Sequence, residues 1–360
     1  MILFRMLRPC QGRRFLVAFC RKMHAERLQY AAYGEPLEVL TVASSPLPPP
    51  GPTEVRVKML AAPINPADIN QVQGVYPIKP ALPAVGGNEG VGRIDEVGSK
   101  VSDLNVGDWV VPMQSGYGTW RSGVIWDRSQ VMKIPNDLPL ITAATLAINP
   151  PTAYRMLNDF VKLHKGDVVI QNGANSVVGQ MVIQLCRKYG LVSINVIRDR
   201  PNLVEVENHL RKLGADHVFT DEQLRSKEGR EAMKTIPKPK LALNCVSGKS
   251  TLYLSQWLAV QGVMVTYGGM SKQPLQVSTG SFIFQDISMY GFWMSHWNLD
   301  PKHADERTRM LQDLCQMFRN QELQPPLCEL VPFKDYKLAL EKSTKGKVDR
   351  KQVLVFEWEL

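Results

Sequence analysis

The chain has 360 residues and a formal charge of +9, from 43 Lys and Arg against 34 Asp and Glu. That length accommodates two domains with a large core, and no apolar run approaches the roughly 20 residues a helix needs to cross a bilayer, so no membrane insertion is expected. Nor does the charge mark a nucleic-acid surface: residues 1–25 hold Arg5, Arg8, Arg13, Arg14, Arg21 and Lys22 and no carboxylate, and the rest of the chain has 37 basic against 34 acidic residues.

The first element in chain order is therefore a targeting signal. An Arg-rich, acid-free segment with interleaved Leu, Phe and Val has the composition of a mitochondrial presequence, expected over residues 1–25; the plainer reading is a basic arm without a fold. Cysteines stand at 10, 20, 186, 245, 315 and 328 with no C-x-x-C pair, so neither structural zinc nor a redox pair is expected. Next, SSPLPPPGPTE, from Ser44 to Glu54, reads as an extended connector, because proline removes backbone donors and fixes φ. The short runs EVRVKMLAAPI, GVGRIDEVG and DWVVP, separated by Gly and Pro turns, predict a β-rich domain to about residue 150.

From Thr152 the pattern changes. VVIQN, SINVIR, HVFT, LALNCV and VMVTYGG alternate with the helical periods MVIQLCRKYG, ENHLRKLGAD and STLYLSQWLAVQG. That alternation predicts βαβ units and a doubly wound parallel sheet of Rossmann type, an α/β fold. The tail holds one helical pattern, MLQDLCQMFRN, and a strand-like KQVLVF expected to return to the first domain.

QNGANSVVGQ, Gln171 to Gln180, lies where a dinucleotide-binding turn should stand. Set against Gly179, the G-x-G-x-x-G template falls on Ala174, Ser176 and Gly179, so the loop by itself is weak evidence. The next strand discriminates better: INVIR ends in Arg198, Asp199 and Arg200, two guanidiniums where an NAD site would carry only an acid. Guanidinium suits a 2′-phosphate, which points to NADPH, although Asp199 could still contact a ribose and a solvated loop of mixed charge is the bland alternative.

Taken together, VKMLAAPINPADIN, LPAVGGNEGVG, GTWR, NPPTAYRML, INVIRDRP, LALNCVSGKS, MVTYGGM and GFWMSHW resemble the mitochondrial trans-2-enoyl-thioester reductases, zinc-free members of the medium-chain dehydrogenase/reductase superfamily. The resemblance implies a GroES-like catalytic domain over residues 26–152 and 295–360, interrupted by a Rossmann NADPH-binding domain over 153–294. It implies NADPH-dependent reduction of enoyl thioesters of acyl carrier protein or CoA in the mitochondrial matrix, and a homodimer joined by edge strands. SFIFQDISMYGF is a plausible β-rich interface segment, or equally a plain internal strand pair. The zinc-dependent branch has Cys near Asn65 and G-H-E where this chain has Gly87, Asn88 and Glu89, and an amide is not a plausible zinc ligand, so no metal is expected.

By the same resemblance Tyr76, in QGVYPIKP, is the proton donor, a role that suits a phenol, which keeps its proton near neutral pH; the bland reading is a loop tyrosine beside Pro77. Asn149 is implied at the nicotinamide end of the cofactor, Asn175, Ser176, Val177 and Val178 at the pyrophosphate, and Arg198, Asp199 and Arg200 at the 2′-phosphate. Tyr267, Gly268, Gly269, Met270, Phe292, Trp293 and Met294 are implied to line the nicotinamide, and Lys351 to reach the cofactor from the tail. The sequence departs from the family's N-S-G-V-G at Val177, where a β-branched residue disfavours positive φ. That departure leaves a catalytically impaired scaffold or RNA-binding paralogue as an alternative, beside a quinone or alkenal reductase of the same superfamily.

Overall fold

The structure, a computed structural model, describes residues 24–344 and 350–356. Most of the expected presequence thus lies outside the described residues, but its boundary at residue 25 falls inside a strand, His24–Tyr30, whose His24 and Ala25 pair with Pro46 and Ser45. The connector expected from Ser44 supplies the partner, Thr41–Pro46, before the prolines end it.

The β-rich part is built on Glu54–Pro63. Its alternation puts Val55, Val57, Met59 and Ala61 fully inward, while Arg56 and Lys58 point out to ion pairs with Asp95 and Glu96 on Val91–Val97. It also pairs with Gly123–Asp127 and, through its last residues, with Lys351–Val355. The tail therefore returns to the first domain's sheet, some 290 residues after the strand it joins. That closing strand is flanked on its other side by Cys328–Pro332, in parallel.

The second sheet has six parallel strands: β1 (Val168–Asn172), β2 (Val192–Ile197), β3 (His217–Thr220), β4 (Leu241–Asn244), β5 (Val263–Thr266) and β6 (Ser288–Gly291). Their spatial order is 3-2-1-4-5-6. The connection direction reverses between β1 and β4, and ligands of such sheets bind outside the carboxyl ends of the strands at that reversal. The helix Val177–Tyr189, which follows β1, is stopped by Gly190 at φ +70° and buries Met181, Val182, Ile183 and Leu185 completely. The helix Ala304–Arg319 packs Met310, Leu311, Leu314 and Phe318 into the same core as Ala153 and Met156, joining tail to sheet.

One expectation fails in part. Ser281–Phe292 is not a strand pair: Thr279–Gln285 is a helix, Asp286 closes it at φ +49°, and only Ser288–Gly291 is extended, as the sheet's edge. The run Phe282–Ile283–Phe284 has no period-2 alternation to hold a strand.

Candidate functional site

The turn after β1 shows how the chain manages with little glycine. Gly173 takes φ +60°, and a Cβ there would meet the Cys245 Sγ at 2.4 Å. At Gly179 a Cβ would lie 2.5 Å from the Ala174 carbonyl oxygen. The two positions that demand glycine therefore have it. Ser176 caps the following helix, its hydroxyl accepting from the Gly179 N–H at 3.1 Å, and Val177 is the first helical residue, with negative φ. The feared cost of Val177 does not arise, because the position needs helical rather than left-handed backbone. The helix's amino end faces the turn, where its free N–H groups favour an anion.

Arg198, Asp199 and Arg200 leave the carboxyl end of β2 beside this turn. The Asn175 amide, oriented with its oxygen to Arg200, accepts from both terminal guanidinium nitrogens at 3.1 and 3.2 Å. Asp199 Oδ1 accepts from the Arg200 backbone N–H at 2.9 Å. The loop thus sets guanidinium beside the phosphate turn and spends the carboxylate on its own backbone.

Beyond β5, Tyr267 runs under the turn. Its Oη is buried between the Ser176 hydroxyl and the Cys245 thiol, and burial followed by the Cys245 thiol holds its pKa well above the usual value. The free amino end of the helix Val177–Tyr189, with Gly173, Gly268 and Gly269 keeping the backbone around it bare, fits a dinucleotide phosphate cradle. Gly268 packs on Cys245, Gly269 is open, and Met270 is 61 % exposed. Phe292 packs edge-on to Phe160. Met294, 5 % exposed, sits in the core.

Across the cleft, Trp293 Nε1 donates to Tyr76 Oη at 2.7 Å, with the rings edge-on and centroids 5.7 Å apart. Tyr76 follows the helix Pro66–Val72 in a turn whose Val75 and Tyr76 N–H groups both donate to the Asn70 carbonyl. The site's two halves thus meet through one hydrogen bond spanning 217 residues of sequence.

A buried polar cluster joins Asn149 and Lys351, implied at the cofactor, to Asn65, Asn88 and Glu89, which the sequence raised only in excluding zinc. Lys351 Nζ donates to Asn65 Oδ1 at 2.6 Å. The Asn65 amide donates to Glu89 Oε2 at 2.8 Å, and Asn149 Nδ2 donates to Asn65 Oδ1 at 3.2 Å and to Glu89 Oε2 at 3.5 Å. Glu89 Oε1 accepts from the Ile148 N–H at 3.0 Å. Asn88 donates to Asp68 and Gln71 at 2.7 and 2.9 Å. Burial pushes Glu89 up to about 7 and Asp68 up to about 6, against the opposing pull of Lys351, and pushes Lys351 down. A carboxylate between two glycine-rich turns and an apolar strand, as in GGNEGVG, is the signal that could have marked Glu89 from sequence.

A GroES-like β domain set against a 3-2-1-4-5-6 sheet, with a phosphate turn at the reversal, defines a dinucleotide-dependent dehydrogenase/reductase of the medium-chain type. Residues 51–136 match the alcohol dehydrogenase GroES-like domain and residues 177–312 the zinc-binding dehydrogenase domain. The chain is 48 % identical to the mitochondrial enoyl-[acyl-carrier-protein] reductase of Xenopus tropicalis, over 92 % of this chain and 95 % of that one. Among solved structures, the Etr1p/NADP/crotonyl-CoA complex superposes with a TM-score of 0.87 at 36 % identity, covering 92 % of this chain and all of the other. A putative NADPH:quinone reductase from Bacillus thuringiensis superposes at 0.81 with 26 % identity, over 92 % of this chain and 99 % of the other. The chain belongs to the mitochondrial enoyl-[acyl-carrier-protein] reductases.

The zinc in one matching domain's name does not fit this site. Zn²⁺ takes thiolate, imidazole or carboxylate, and no group of three such residues able to hold a metal occurs among the described residues. Asn65 and Asn88 spend their N–H groups on carboxylates, and an ammonium reaches into the same cluster.

Proposed function

We propose that the protein reduces trans-2-enoyl thioesters of acyl carrier protein or CoA to the saturated acyl thioesters, using NADPH, in the mitochondrial matrix. The observation that carries this reading is the Tyr76–Trp293 hydrogen bond, which ties a phenol hydroxyl of the β-rich part to the chain just beyond β6 of the nucleotide-type sheet. In this reading Asn175, Ser176, Val177 and Val178 face the pyrophosphate, with the Tyr267 hydroxyl against Ser176 beneath them, Arg198 and Arg200 face the 2′-phosphate, and Asn149 and Lys351 the nicotinamide end. NADPH held there would supply hydride to the β-carbon of the enoyl thioester. Tyr76 then gives its Oη proton to the α-carbon as charge collapses from the thioester enolate. Trp293, donating to the same oxygen, aims that proton and supports the phenolate left behind. No Lewis acid is required, because the developing charge is delocalised onto the thioester.

The domains are read as 26–152 with 295–360, and 153–294. The residues before the strand His24–Tyr30 are read as a cleaved presequence, which spares the pairing of His24 and Ala25, and the edge strand β6 with the apolar helix before it as the homodimer contact. The discriminating experiment is steady-state kinetics with NADPH and NADH against crotonyl and longer enoyl thioesters and a quinone panel. The expected outcome is turnover of enoyl thioesters with NADPH preferred; quinone reduction without thioester reduction would install the alternative reductase. Fluorescence titration tests the scaffold alternative, since a protein without a cofactor role need not hold NADPH.

A further inference from the structure

We propose that Glu89 is a positioning residue for hydride transfer: through Asn65 and Asn149 it holds the nicotinamide-end amide and the Lys351 ammonium in fixed register. The inference rests on the enoyl-reductase reading, within which Asn149 and Lys351 meet the cofactor.

The geometry is one of convergence. Glu89 is fully buried, and its two carboxyl oxygens receive N–H groups from three residues at the starts of two helices. Ile148, at the start of the helix Asn149–Asn158, donates to Oε1, and Asn65, before the helix Pro66–Val72, donates to Oε2. Asn149 reaches the same Oε2 at 3.5 Å and Asn65 Oδ1 at 3.2 Å. Asn65 Oδ1 in turn accepts from Lys351 Nζ, at the first residue of the strand Lys351–Val355. Every partner of the carboxylate is thus a donor, so its orientation is determined from all sides. Asn65 transmits that orientation to both Asn149 and Lys351.

A buried carboxylate with no structural substitute is expensive. Here the expense coincides with the only place among the described residues where Lys351, Asn65 and Asn149 come together. Asn65 cannot rotate its amide without presenting N–H to the Lys351 ammonium and oxygen to Glu89. Glu89 thereby selects the amide orientation that keeps an acceptor towards Lys351. Replacing Glu89 by Gln would place an NH2 against at least one of the N–H groups it now accepts, and Asn65 would lose its selected orientation. Misplacement of a positioning group by about an ångström costs on the order of 100-fold in rate.

The test uses the full-length protein, with Glu89→Gln and Glu89→Asp alongside Asn149→Ala and the Glu89→Gln/Asn149→Ala double variant. Three quantities are read with crotonyl-CoA: kcat, NADPH affinity, and the primary isotope effect with 4-deuterated NADPH. Glu89→Gln should lower kcat by at least tenfold, move NADPH affinity less than threefold and raise the isotope effect. Its loss should not add to that of Asn149→Ala. Glu89→Asp, which keeps the charge at shorter reach, should fall between, and it carries the test if Glu89→Gln does not fold. An unchanged kcat and isotope effect, or losses that simply add, would overturn the role, because a merely structural residue lowers the active fraction without altering the isotope effect. Wild-type turnover separates this failure from that of the underlying reading. If wild type does not reduce the thioester, emission of bound NADPH still reads the nicotinamide environment, and identical emission in wild type and Glu89→Gln overturns the inference.

Discussion

Tyr76 carries the sharpest prediction. Its hydroxyl accepts from the Trp293 indole N–H, which leaves the phenol's own proton to aim elsewhere. Tyr76→Phe removes the acid and keeps the ring's edge-on contact, so kcat with crotonyl-CoA should fall by about 100-fold or more while NADPH affinity changes little. Stopped-flow turnover and fluorescence titration check the two halves of that statement. Glu89 and Asp68 make a second prediction, in stability. Unfolded carboxyls titrate near about 4, whereas burial raises these to about 7 and about 6. Between those values the native state holds protons the unfolded chain has lost. The contribution is therefore present at low pH and lost as pH rises through the folded values. Urea melts should show wild type losing stability relative to Glu89→Gln between pH 5 and 8, by on the order of 1–2 kcal/mol.

The phosphate turn and its helix show what the sequence made legible and what it concealed. The alternation of apolar runs and helical periods located all of β1 to β5, because fully buried parallel strands and amphipathic helices leave strong patterns. The template for glycine spacing was a poorer guide. It assigned the turn's first glycine position to Ala174, while the backbone takes its left-handed step one residue earlier, at Gly173. It also made Val177 suspect, although that residue opens the helix. Gly173→Ala should therefore be the damaging change, through both φ and the contact with Cys245, costing about 1–3 kcal/mol and lowering Tm by several degrees in calorimetry. Val177→Gly should gain no more than about twofold in NADPH affinity, since no positive φ is relieved. Of the buried cluster, Asn149 and Lys351 were reached through the family resemblance alone and the role of Glu89 not at all: Asn65, Glu89, Asn149 and Lys351 come from four separate stretches of chain, and periodicity within one element says nothing about polar groups that meet across several.

For the molecule as a whole, the six-stranded sheet ends in an exposed edge. β6 leaves Tyr290 49 % exposed, and the helix before it leaves Phe282, Ile283 and Phe284 at 45, 64 and 80 %. An unpaired edge beside such a patch invites a second copy. If the edge pairs as proposed, wild type sediments as a dimer and Phe284→Asp shifts it towards monomer in sedimentation equilibrium with NADPH binding retained; a wild-type monomer would remove the edge-pairing reading.

The tail strand also governs when the protein can work. Glu54–Pro63 is made early, but its partner Lys351–Val355 comes almost last, and the bond between Lys351 and Asn65 closes a span of 286 residues. Loop closure over such a distance makes folding slow and late. A nascent chain that has not yet delivered the strand Lys351–Val355 can complete the parallel sheet and still lack the ammonium that bonds Asn65, so the buried polar cluster closes only when that strand arrives.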